Sequence, residues 1–336
     1  MTKFELSIHT GYVADWGIVE AIREIFQNAL DNEIENPENK MEFKYDENSK
    51  KLLISNKTSK LTTDTLLLGR STKRDSEDTI GQYGEGYKLA FMILLREGKG
   101  VKVYNYGAKE IWTTKLVNSR KYNGFTIPTI YVEHNAIWKS VPNNDLTIEI
   151  SGITKEEYEE VKRKNLNIRD EKVESIYADR CNILLDPEES GNIYVSGLFI
   201  SNKGGFDCGY NFKPKCIKLD RDRKLIDTID LSFETSRAWT YAISKSKEDK
   251  LKERFEQMLD NEASDIKYIN SGYSLYLDVD NTVADIVAKK FIAENGDNSY
   301  PVSNNEEYEE VKNVDGINPV IVDSNTKNLI IRSNVN

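Results

Sequence analysis

Glu24, Asn28 and Asp31 stand at i, i+4 and i+7, and at about 100° per residue a helix carrying them projects all three within one narrow stripe. A carboxylate can accept a proton from water, and a neutral amide oxygen suits a hard cation. On a helix standing alone such a stripe is most often a solvated face. Solvated faces favour Lys and Glu, however, whereas Gln27-Asn28 and Asp31-Asn32 put poorer helix formers in the interior, which calls for a reason. The second feature is Gly81-Gln-Tyr-Gly-Glu-Gly-Tyr-Lys88, with glycines spaced G-x-x-G-x-G before a helical pattern. Glycines let backbone approach a ligand, and a helix N-terminus offers free N–H groups to phosphate. This is not the Rossmann fingerprint, because the polar run Ser71 to Thr79 precedes it instead of a buried strand, and no Walker A sequence is present.

The elements that must position these residues follow from periodicity. Ile18, Val19, Ile22, Ile25, Phe26, Ala29 and Leu30 recur at helical intervals between Asp15, a candidate N-cap, and Ile34, and the Asn36 to Asn39 stretch with Pro37 breaks the helix. Met41 to Tyr45 and Leu52 to Ser55 flank a turn-rich segment and predict a hairpin. A short helix is expected over Thr63 to Leu68, a polar stretch over Gly69 to Gly86, and a second helix from Gly86 to Gly98. Strands are expected at Val101 to Tyr106, Ile111 to Leu116, Thr126 to Val132 and Leu146 to Ile150. This is a layered α+β domain with mostly antiparallel strands, ending near Thr154.

A helix with E-x-x-x-N-x-x-D, a hairpin, a short helix, a polar lid and G-x-x-G-x-G opening another helix is the order found in the GHKL (Bergerat-fold) ATPases. Over roughly residues 15 to 153 the chain resembles that superfamily, which includes DNA gyrase B subunit, the ninety-kilodalton heat-shock chaperones, sensor histidine kinases, MutL and the MORC ATPases. The glycine run with Lys88 is most similar to the MORC version. The resemblance implies a layered α/β sandwich that binds ATP with Mg²⁺. It implies Glu24 as the general base on the attacking water, Asn28 as the Mg²⁺ ligand, and Asp31 as support for the ion's water shell or the adenine pocket. Gly81, Gly84 and Gly86 would form the lid and phosphate loop, with Lys88 meeting a phosphate; the plain alternative for Lys88 is an exposed helix lysine. The family's D-x-G-x-G is replaced by Asn56-Lys-Thr-Ser-Lys60, so Asn56 would accept the adenine amino group through an uncharged amide oxygen, and both glycines are missing. The family's later threonine would be Thr147.

The chain has 336 residues with 46 Lys+Arg against 56 Asp+Glu, a net charge of −10. That length allows two or three domains at roughly 150 residues each. The longest apolar runs, such as Leu89 to Leu95, fall far short of the roughly 20 residues that cross a bilayer, and Met1 to Thr10 lacks a signal-peptide core, so a cytoplasmic location without membrane contact is expected. Two histidines and three cysteines outside metal-ligand spacing argue against a catalytic triad, a disulfide framework or a zinc site. Beyond the ATPase-like region (1–154) we expect a transducer-like α/β domain (155–262) and a small C-terminal α/β unit (263–336). Lys155 to Lys164 reads as a connecting helix, with strands at Ile193 to Ser201 and Cys208 to Leu219 and a long helix from Thr235 to Asn261. The C-terminal part predicts helices at Asn281 to Ala293 and Glu306 to Val311, and strands at Tyr300 to Ser303, Pro319 to Val322 and Asn328 to Arg332. The heptapeptide Glu-Glu-Tyr-Glu-Glu-Val-Lys occurs at 156 to 162 and 306 to 312; its flanks do not match, and both copies read as solvated acidic helices.

The leading expectation is an Mg²⁺-dependent ATPase whose nucleotide state closes the 69 to 86 lid and repositions the following domain. A non-hydrolysing nucleotide-binding switch or sequestering protein is the alternative suggested by the altered Asn56 to Lys60 segment. The resemblance also allows a nucleotide-dependent homodimer and an unidentified protein partner. A MORC- or MutL-like nucleic-acid clamp is disfavoured by net acidity, with Lys213-Pro-Lys215, Lys218 and Asp220-Arg-Asp-Arg-Lys224 as the local basic cluster that could serve it or a γ-phosphate. The alternating Asp and Arg more simply form a local salt-bridge ladder. The Lys-, Asn- and Ile-rich usage and the overall plan look similar to phage and mobile-element ATP-binding proteins.

Overall fold

Alternation of apolar and polar residues builds the larger of the sheets. In the computed structural model, which describes residues 1–63, 86–136, 145–214, 216–219, 228–245, 249–269 and 281–335, the chain divides into two compact units, Met1–Lys172 and Val173–Asn336. The first contains β1 (Thr2–Glu5), α1 (Ile18–Glu35), β2 (Met41–Asp46), β3 (Lys51–Asn56), α2 (Gly86–Arg96), β4 (Gly100–Asn105), β5 (Glu110–Asn118), β6 (Thr126–His134), β7 (Leu146–Ser151) and α3 (Lys155–Arg163). Its seven strands run antiparallel in the order β1-β6-β5-β4-β7-β3-β2. Leu52 and Ile54 of β3 pair with Ile150 and Ile148 of β7, which pair in turn with Val101 and Val103 of β4. Those side chains are buried on one face, where Ile22, Ile25 and Ala29 of α1 and Leu89, Phe91 and Met92 of α2 cover them. Each such side chain contributes about 1.5–3 kcal/mol by leaving water. The unit is therefore an α+β layered domain, helices on an antiparallel sheet.

Several expectations shift. Helix α1 starts at Ile18, not after Asp15: Gly17 is its N-cap, and its N–H donates to the Glu20 carboxylate at 2.9 Å, an acid reaching back from the third helical position. Strand β1 has only four residues on the sheet edge, too short for its alternation to stand out. The predicted connector, α3, belongs to the first unit. Tyr158 stacks on Tyr45 with ring centroids 4.2 Å apart, Val161 is buried, and Lys99 pairs with Glu157 at 2.7 Å. So the first copy of the repeated heptapeptide is a packing helix, whereas α7 (Asn305–Lys312), which carries the second, buries none of its residues.

The second unit opens with β8 (Ser175–Ala178), β9 (Cys181–Leu184), β10 (Asn192–Val195), β11 (Leu198–Asn202) and β12 (Gly209–Phe212), in the order β11-β10-β12-β9-β8. The single strand expected over Ile193 to Ser201 is a hairpin. Ser196 and Gly197 between β10 and β11 both have positive φ, 49° and 81°, the requirement of a two-residue turn. The expected long helix is two, α4 (Thr228–Lys245) and α5 (Asp249–Asp260), followed by α6 (Asn281–Asn295), β13 (Ser299–Val302), α7, β14 (Asn318–Ile321) and α8 (Ser324–Arg332). Residues 328–332, read as a strand, are helical because the Asp323 carboxylate accepts the N–H groups of Asn325 and Thr326 and caps α8. Val173 to Asn336 form one unit, so the boundaries expected at 154/155 and 262/263 do not coincide with the observed division.

Candidate nucleotide site

Helix α1 has a second buried stripe beside its apolar one. Glu24 is 2% exposed, Gln27 2% and Asp31 0%, and Asn28 is half-buried. The stripe is not a solvated face. Taking a carboxylate out of water costs several kcal/mol unless partners or a ligand compensate, so two in adjacent turns make this stripe a candidate site. The Asn28 amide nitrogen donates to the Glu24 carbonyl at 2.9 Å, which turns its oxygen away from the helix backbone.

Against this stripe lies the first turn of α2. A Cβ built on Gly86 would sit 2.9 Å from Glu24 Oε2 and 3.0 Å from Asn28 Nδ2, closer than side chains pack, so with glycine here the ends of those two side chains lie against the α2 backbone. The two motifs, far apart in sequence, are thereby joined at one point. Lys88, one turn into α2, is 1% exposed, so the plain reading of it as a surface lysine does not hold. Burial, and secondarily the Asp31 carboxylate, push the Tyr87 phenol well up. At the other oxygen of the Glu24 carboxylate, the Arg23 guanidinium lies 3.5 Å from Oε1 and 5.1 Å from the centre of the Trp16 ring.

Asn56 closes β3 on the helix-facing side of the sheet, 3% exposed. Its amide nitrogen donates to the carbonyls of Ala29 in α1 and of Asn39, both at 2.9 Å. Both amide hydrogens are thus used, and the group retains only its acceptor oxygen for anything else. Thr147 is not brought to this face. The register pairs Asn56 with Leu146 and Thr147 with Ser55, and in β7 Leu146, Ile148 and Ile150 are buried while Thr147 lies on the opposite side with Ser55 and Tyr104. Period two decides it, since residues directly opposite in an antiparallel pair share a face.

Gly81 and Gly84 lie outside the described residues, as do the expected 64–68 part of the short helix, Lys215 and the segment 220–224. Lys213, in the second unit, donates to the Tyr177 hydroxyl at 3.3 Å, and both side chains are exposed. The sequence alone assigns no role to Gln27 and Arg23, both beside Glu24 on α1: glutamine is an ordinary helix former, and an arginine beside a glutamate is ordinary on any helix. Among the described residues no cluster of three or more His, Cys, Asp or Glu is arranged to hold a metal by itself, and no helix is long and apolar enough to cross a membrane.

No protein-family model matches the chain, and no curated protein does. Among solved structures it is similar to the ATPase region of Saccharomyces cerevisiae topoisomerase II, with 10% identity, a TM-score of 0.35, and coverage of 55% of this chain and 62% of that one. It is also similar to the ATPase and transducer domains of DNA topoisomerase II from Balamuthia mandrillaris, with 11% identity, a TM-score of 0.31, and coverage of 55% and 60%. The matched region spans less than two thirds of each of those chains.

Proposed function

We propose that the first unit binds ATP with Mg²⁺ and hydrolyses it in the manner of the GHKL ATPases, with Glu24 as general base. The observation that carries this reading is the meeting of Gly86 with Glu24 and Asn28, which puts the end of the glycine run against the acid and amide of α1. Phosphoryl transfer asks little covalent chemistry of a protein; it asks for positioning and for charge neutralisation. Glu24 takes the proton of a water aimed at the terminal phosphorus. The free N–H groups at the start of α2 and the Lys88 ammonium receive phosphate charge.

The donor set fits Mg²⁺ bound together with a triphosphate. Asn28 offers a neutral oxygen and Asp31 a charged one, and a magnesium ion usually keeps several waters and takes one or two protein ligands. The ion, when bound, neutralises phosphate charge. Asn56, with both hydrogens held by Ala29 and Asn39, receives the exocyclic amino group of adenine as an acceptor. Thr147, on the other sheet face, takes no part. ADP is the product that remains, and nucleotide-dependent pairing of two copies, an action on a protein partner, or a nucleic-acid clamp using Lys213 and Lys218 are roles downstream of this chemistry.

Phosphate release from Mg-ATP by the wild type and by Glu24→Gln tests the reading. Loss of a general base lowers turnover by about 10²–10⁴-fold. Equal background rates in both would refute hydrolysis; retained stabilisation by ATP in a thermal-shift assay would then leave the non-hydrolysing switch, which the altered Asn56 to Lys60 segment favours.

A further inference from the structure

We infer that Trp16 and Arg23 form a positioning pair for the Glu24 carboxylate, an inference that rests on the ATPase reading above. Glu24 is gripped from two directions. Oε2 abuts the Gly86 backbone, and Oε1 faces Arg23 Nη2 at 3.5 Å. The Arg23 side chain is itself mostly buried, 10% exposed, and its guanidinium lies over the ring of Trp16, which is buried as well. A planar guanidinium on an aromatic face is held in orientation as well as in place, which a flexible ammonium is not.

The ring has its own anchor. Arg96, in the last turn of α2, donates to the carbonyls of Thr10 and Val13 at 3.1 and 3.4 Å and also to that of Trp16. The last turn of α2 thus fixes the segment that carries Trp16, Trp16 fixes Arg23, and Arg23 holds one oxygen of Glu24 while the first turn of α2 borders the other. A buried carboxylate paired at one oxygen and bordered by backbone at the other is restricted in the geometry it presents to a water, and misplacement of a reacting group by about an ångström costs about a hundredfold in rate. Because Arg23 meets Oε1 and not the oxygen that lies against Gly86, its loss should affect turnover more than ATP binding.

The test is steady-state ATP hydrolysis by the wild type, Arg23→Gln, Arg23→Lys and Trp16→Leu, with thermal midpoints as a folding control. Arg23→Gln is expected to lower kcat by about tenfold to a hundredfold while KM for ATP stays within about threefold, and Arg23→Lys to recover part of the loss because it restores the charge without the stack. Trp16→Leu should reproduce the kcat defect with Arg23 intact, and it serves as the test if Arg23→Gln does not fold. Wild-type kcat in folded Arg23→Gln and Trp16→Leu would overturn the pair while leaving the ATPase reading standing. A wild type no faster than Glu24→Gln would overturn both.

Discussion

By the resemblance to the GHKL ATPases Asn56 would stand where that family has an aspartate, and comparison of motifs alone predicts that Asn56→Asp repairs the site. The structure predicts the opposite. In the wild type two amide hydrogens run from Asn56 to the carbonyls of Ala29 and Asn39, each at 2.9 Å, at a position 3% exposed. A carboxylate there has no hydrogen to give, and its oxygens face two carbonyl oxygens at hydrogen-bond distance. Each buried acceptor left without its donor costs about 1–3 kcal/mol, so the pair amounts to about 2–6 kcal/mol before any charge repulsion. At about 2–4 °C per kcal/mol for a unit of this size, the first unit's thermal midpoint at neutral pH falls by about 4–24 °C. Protonation of the introduced carboxyl restores one donor, so the deficit narrows as the pH is lowered toward 5. Calorimetric or circular-dichroism melts of the wild type and Asn56→Asp at pH 7.5 and pH 5 measure both effects. A variant melting within about 1 °C of the wild type at pH 7.5, or binding ATP more tightly, would refute the view that this asparagine is fixed by its donors.

Gly86→Ala should separate site from fold: the added methyl meets only the far ends of the Glu24 and Asn28 side chains, which can move, so the melt shifts by less than about 1 kcal/mol while ATP turnover drops at least about tenfold; coupled melting and turnover measurements check it. In the second unit, the Lys327 ammonium and the Ser303 backbone N–H and hydroxyl hold the Glu307 carboxyl down at about 2 against an ordinary 4.5. A depressed carboxyl contributes stability that is present above its unfolded value and lost as pH falls through the folded one, so this contribution fades between about pH 4.5 and pH 2. Glu307→Gln should flatten that part of the acid-unfolding curve, and an unchanged curve would show that the contact contributes nothing.

How far the sequence foretells this arrangement depends on which force sets each residue. The period of Ile18 to Leu30 and the run Leu89 to Leu95 announce α1 and α2, because the burial of an apolar stripe is written in spacing alone. The alternation Leu146-x-Ile148-x-Ile150 equally announces that Thr147 faces away from the helices, and a functional motif match misplaces it only when that alternation is ignored. By contrast, the burial of Lys88 and the orientation of Asn56 are tertiary. They depend on which backbone carbonyls and carboxylates arrive beside them, and neither side chain differs locally from an exposed one. The same holds for α3, whose acidic sequence reads as solvated and whose Tyr158 and Val161 nonetheless close the aromatic edge of the first unit.

Charge draws these threads together. A chain of net charge −10 has no overall field with which to attract a polyanion, so any affinity for a triphosphate must be generated locally. On the proposed reading the α1–α2 contact would supply the means: the positive end of a helix, the buried Lys88, and two buried carboxylates that would repel a bare phosphate but accept one accompanied by a divalent cation. On the proposed ATPase reading, Glu24 and Asp31 would make the site selective for the metal complex over the free nucleotide. Neutralising Asp31 as Asn should weaken binding of Mg-ATP and strengthen binding of metal-free ATP, and a calorimetric titration showing both affinities moving in the same direction would refute that division of roles.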